Sequence, residues 1–145
     1  MWFLSGVLLG CFVAIVLSWF KNSYKRQLQD LIASGLILKA AGDRLGATRV
    51  YLQVFRRSPM NIVALENLHA AVENGESNLE LLEAFQFWSV RNPTDARVRY
   101  DLGCLLVRQG DVIAAHEQWK QVLSLDATGG WAYRAREMLN MYPDA

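Results

Sequence analysis

Few residues in this sequence could do covalent or proton-transfer chemistry. There are two cysteines, Cys11 and Cys104, and two histidines, His69 and His116, far apart along the chain. Cys104 has Arg108 one helical turn further on, and a nearby cation favours the thiolate. The same position suits a small residue lining a groove, and that is the expectation. Ligands this sparse make neither a disulfide framework nor a zinc site. Glu76, Glu80 and Glu83 fall on one side of a helix and read as a solvated face, not as a catalytic carboxylate pair. No Gly-rich phosphate loop, nucleophile-elbow serine or His-x-x-x-His pair occurs. The sequence therefore points to no enzyme, no metal and no cofactor.

What remains is binding chemistry. Arg97, Tyr100, Cys104 and Arg108 set cations and an aromatic ring along one face of a helix. Such a face suits an extended or helical peptide with hydrophobic anchors and an acidic residue near Arg97 and Arg108. Nucleic acid is not expected: the net charge is +1 over 145 residues, and no basic run is interleaved with aromatics.

The elements that would position this face repeat. "GLILKAAGDRLGATRVYLQVFRRSP", residues 35–59, returns 68 residues later as "GCLLVRQGDVIAAHEQWKQVLSLDA". Gly35 answers Gly103, Gly42 answers Gly110, Ala47 answers Ala115 and Tyr51 answers Trp119. Pro59 and Pro93 lie 34 residues apart, half that interval. Small Gly35 and Gly103 let two helices of a hairpin approach. Gly42 and Gly110 end the first helix with a left-handed residue, and Asp43 and Asp111 cap the next. Tyr51 and Trp119 are expected to fill the space between hairpins. This pattern resembles the tetratricopeptide repeat. That resemblance implies an all-α fold: an α-solenoid of three hairpins, 28–61, 62–95 and 96–129, inside a region 22–129. A capping helix and tail, 130–145, would close it. The middle unit keeps Phe85 and Pro93 but sets His69 at the small position. It reads as a splayed hairpin, or else as a pocket built on His69 and Trp88.

Residues 2–20 form an uncharged apolar run, long enough for a membrane-spanning helix, with Trp2 and Trp19 at its ends. The expectation is a transmembrane anchor over 1–21 that runs straight into the first repeat helix, since no Pro or Gly falls between Cys11 and Ser34. A cleaved signal would need a basic start and a small-residue cleavage site; a lipobox around Cys11 is the other alternative. Lys21, Lys25 and Arg26 put the N-terminus outside and the repeats in the cytoplasm, at a bacterial inner membrane. Gly6 and Gly10 have the spacing for close helix packing in a bilayer, hence a homodimer through that helix.

Counted from each unit's start, the groove-facing set is Gln29, Ile32, Leu36 and Lys39, then Val63, Glu66, Ala70 and Glu73, then Arg97, Tyr100, Cys104, Val107 and Arg108. The carboxylate clamp of co-chaperone tetratricopeptide domains is absent, since Ile32 and Leu36 stand at its places and only Asn67 and Arg97 fit. Anchor, basic junction and repeats resemble the front of the lipopolysaccharide assembly protein B family, without its rubredoxin-like domain. They are also similar to the short photosystem I assembly factors. The functional expectation is a membrane-anchored scaffold that takes a protein partner in its groove during assembly or regulation of a membrane complex. A permanent structural subunit, or a regulator of lipopolysaccharide synthesis, is the alternative.

Overall fold

The computed structural model describes the backbone of residues 2–143 and the side chains of residues 11–143. Seven helices account for the regular structure among these residues: α1 (Trp2–Ala40), α2 (Arg44–Arg57), α3 (Ile62–Glu73), α4 (Leu79–Arg91), α5 (Ala96–Arg108), α6 (Val112–Leu125) and α7 (Gly130–Met141). The fold is all-α. The helix starts follow from short acceptor side chains satisfying free amides. Asp43, Asn61, Asn78, Asp95 and Asp111 each accept from the first turn of the helix that follows, at 2.8–3.1 Å.

The turns between hairpin helices share one geometry. Gly42, Gly75 and Gly110 have φ of 82°, 89° and 89°, the left-handed region that costs glycine little. After each, a backbone amide reaches back to close the helix: Asp43 to the Leu38 carbonyl, Glu76 to Ala71 and Asp111 to Leu106. These are paired Schellman closures. Gly75 comes one residue earlier in its unit, yet it makes the same turn.

Two compact units divide after Pro59. The first holds the α1–α2 hairpin. Gly35 sits beneath Tyr51, and a Cβ there would meet Tyr51 Cζ at 2.8 Å. Ala47, Tyr51, Leu52 and Val54 are buried, and the Tyr24 hydroxyl donates to the Arg57 carbonyl. The second unit stacks α3 to α7. In α5–α6 a Cβ on Gly103 would fall 2.3 Å from Trp119 Nε1, and that nitrogen donates to the Tyr100 carbonyl at 3.2 Å. Each ring therefore lies on a glycine inside its own hairpin, not between hairpins as the sequence suggested. Ala115 and Trp119 are fully buried.

The middle hairpin solves the same problem with two rings. His69, at the glycine register, stands edge-on to Phe85 with centroids 5.0 Å apart, and Phe85 stands edge-on to Trp88 at 5.3 Å. The backbones of α3 and α4 stay further apart than those of α5 and α6. His69 and Trp88 are each 1% exposed, so they serve as wedge and filler and do not line a pocket.

The N-terminal expectation needs correcting. Among the described residues no helix is long and apolar enough to cross a membrane. The transmembrane anchor over 1–21 is thus overturned. The outside N-terminus, the cytoplasmic repeats and the bacterial inner-membrane location rested on it and go with it. The bilayer and the homodimer through that helix lose their support as well. The side-chain surroundings of Gly6 and Gly10 lie outside the described residues. The expected continuity is there, since α1 runs unbroken to Ala40.

Two substitutions test this packing. Gly103→Ala should lower stability by about 1–3 kcal/mol, because the fully buried indole cannot give way. Trp119→Ala should cost about 3–5 kcal/mol. Unchanged urea midpoints for both would refute the ring-on-glycine contact. In the first unit the Tyr51 hydroxyl is buried without a partner, and an unsatisfied buried hydroxyl costs about 1–3 kcal/mol. Tyr51→Phe should therefore hold or raise stability, by roughly 1 kcal/mol at most; a lowered midpoint would show that the hydroxyl contributes.

Candidate functional site

The second unit contains an open cleft of about 370 Å³ where α3, α5 and α7 face one another. Val72 and Glu73 enter it from the end of α3. Tyr100, Asp101, Cys104 and Arg108 line it from α5, and Arg134 and Met138 from α7. Along α5 these residues recur at threes and fours, so helical periodicity alone turns them to one side. Four of the thirteen groove residues expected from sequence, Glu73, Tyr100, Cys104 and Arg108, meet here.

The others do not. Ile32, Leu36 and Lys39 lie on α1 in the first unit; Ile32 is half-buried, and Leu36 and Lys39 are exposed. Glu66 lies on α3 in the second unit but does not line the cleft; it accepts from Arg97 Nη1 at 2.9 Å. Arg97 Nη2 reaches Glu73 at 3.5 Å, and its guanidinium lies 5.7 Å from the Trp131 ring centroid. The cation expected to meet a ligand is therefore already neutralised by two carboxylates of α3. Arg108 has a structural duty too. Its Nη1 donates to the carbonyls of Val72 and Glu76, at 2.9 and 3.1 Å, where α3 ends. A cation suits those unsatisfied carbonyls.

Three participants on α7 were missed as binding residues. Trp131 packs on Tyr100 with centroids 5.5 Å apart, and Arg134 lies 4.8 Å from the centre of the Trp131 ring. Met138 completes that side. Trp131, Arg134 and Met138 share one face of α7 by their spacing. That was the available signal, and it read as a cap.

Beneath the cleft, His69 Nδ1 and Asp101 Oδ2 form a hydrogen-bonded pair, 1% exposed at each residue. Burial pushes the Asp101 carboxyl above the usual carboxylate range. The bond to His69, its charge and that of Arg97 pull the other way without reversing the shift. Cys104 is pushed up to about 11, by burial first and then by Asp101. Tyr100 rises above its ordinary value, again chiefly through burial. Among the described residues no group of three or more His, Cys, Asp or Glu could hold a metal ion.

What the arrangement can do is receive side chains. Its volume lies at the small end of ligand pockets, and its walls alternate aromatic, thioether and aliphatic surface with charged groups. No protein-family model and no curated protein matches the chain. Among solved structures it is similar to PcrH from Pseudomonas aeruginosa, at 18% identity and a TM-score of 0.61, covering 81% of this chain and 92% of that one. With the helix pairs and the 34-residue interval, that likeness gives the chain the fold of a tetratricopeptide-type helical repeat protein.

Proposed function

We propose that this chain is a non-enzymatic helical repeat adaptor that binds a protein partner, with a short partner segment seated between α3, α5 and α7. The cleft carries this reading. It combines an aromatic ring, a flexible thioether and guanidinium groups on two helices, α5 and α7, the residue types that anchor protein–protein contacts. A helical repeat fold supplies such a surface without moving parts.

The chemistry of Cys104 supports the non-enzymatic half. A thiol whose pKa is about 11 is almost wholly protonated near neutral pH, and it is the thiolate that attacks. In the native chain, a thiol reagent such as dithionitrobenzoate should therefore titrate Cys11, which is exposed, and leave buried Cys104. Cys104 should react only at the rate of unfolding. Rapid modification of Cys104 in the folded protein would reopen a nucleophilic role.

For the binding half, a photoreactive amino acid at position 138, in the cell that makes this protein, should give a discrete adduct with one protein. Tyr100→Ala should abolish that adduct while circular dichroism shows unchanged helix content. The same probe at Val90, which is 79% exposed on α4, should give none. An adduct from position 90 but not from 138 would move the binding surface away from the cleft.

A further inference from the structure

The charges around the cleft are unevenly satisfied. Two carboxylates at or near its rim, Glu66 and Glu73, are both engaged by Arg97. The third, Asp101, is held by His69 below the surface. Arg108 donates only to backbone carbonyls, which supply dipoles and no counter-charge. Arg134 lies over the Trp131 ring, and neither of these guanidiniums has a carboxylate partner among the described residues. Both line the one cleft. Arg108 also keeps donors beyond Nη1, since a guanidinium carries five.

Two guanidiniums with no carboxylate in ion-pair distance, beside Tyr100, Val72 and Met138, favour an anionic ligand. Resting on the protein-binding reading above, we propose that the cleft receives an acidic side chain of an extended partner segment. Its carboxylate lies between Arg108 and Arg134, with an apolar neighbour against Tyr100 and Met138. A carboxylate there exchanges water for charge-assisted hydrogen bonds in a partly desolvated site, where they are strongest. The cleft is open to solvent, so a chain can pass across it; this favours a side chain over a terminal carboxylate. Its size admits a few side chains and not a whole helix.

The probes are three short peptides: acetyl-Leu-Glu-Leu-amide, acetyl-Leu-Gln-Leu-amide, and acetyl-Leu-Gln-Leu with a free terminal carboxylate. Each is titrated into the isotope-labelled full chain and followed by NMR. The Glu peptide should bind about tenfold or more tightly than its Gln amide, the factor expected of a hydrogen bond to a charged group. It should shift the Met138 methyl and the Arg134 side chain, and its advantage should shrink as salt rises. Arg134→Gln should remove the advantage; Arg134 is exposed and its loss leaves the end of α3 intact. Equal affinities for the Glu and Gln amides, with the same residues shifted, overturn the carboxylate site and leave the protein-binding reading standing. A free-carboxylate peptide that matches the Glu peptide overturns the choice of a side chain. If no peptide shifts Tyr100 or Met138 the proposal falls, and the position-138 crosslink then decides whether the binding reading falls with it.

Discussion

Everything in the second unit rests on how closely α5 approaches α6, and that distance is set by an indole ring lying on Gly103. The Trp119 Nε1 atom stands where any Cβ at Gly103 would have to go. The same nitrogen is committed to the Tyr100 carbonyl. One residue thus fixes helix separation by contact and axial register by hydrogen bonding. Register matters because α5 presents the cleft face. A slip of α5 along α6 would carry Tyr100, Cys104 and Arg108 out of line with α3 and α7. Tyr142 stacks on Trp119, with centroids 6.1 Å apart, and its carbonyl is bonded to His116 Nε2. The end of α7 is thereby tied to the same ring.

The middle hairpin shows what happens when the small residue is lost. His69 cannot lie beneath a ring as glycine does, so it meets Phe85 edge to face and the helices part. Its polar atom must then find a partner in the interior, because a buried unpaired nitrogen is costly. Asp101, on the next repeat helix, supplies one. The cost passes to Asp101, whose carboxyl is desolvated and pushed upward. A substitution at one register position has thereby produced a polar link between α3 and α5, directly under the cleft.

This explains which parts of the fold were legible. Hairpin ends could be read because Gly42–Asp43 and Gly110–Asp111 combine a left-handed turn with a cap, and both requirements are local. Gly35 with Tyr51 and Gly103 with Trp119 could be paired because the repeat prints them at one interval. Their placement within the hairpin could not, since spacing does not say on which side of a helix pair a ring lies. The His69–Asp101 pair joins residues 32 apart in sequence, and nothing local predicts it. The neutralisation of Arg97 was hidden for the same reason, since both its carboxylates come from another helix. The apolar run before Lys21 misled because composition alone suggested a span that the described helix does not show.

The candidate site follows a related logic. In a repeat array, positions that recur at the period are committed to packing one unit on the next. Glycine, alanine and the buried ring have no freedom left to meet a ligand. Specificity must therefore reside where the period is broken. Here those departures cluster. His69 replaces a glycine, Asp101 interrupts an apolar face, and Trp131 and Arg134 belong to α7, outside the three repeats. Arg97 is balanced by α3, while Arg108 and Arg134 are not balanced by carboxylates among the described residues. An array of packed hairpins thus acquires, at one place, a cleft in which two guanidiniums stand without a carboxylate in ion-pair distance, a place where a partner's carboxylate would fit.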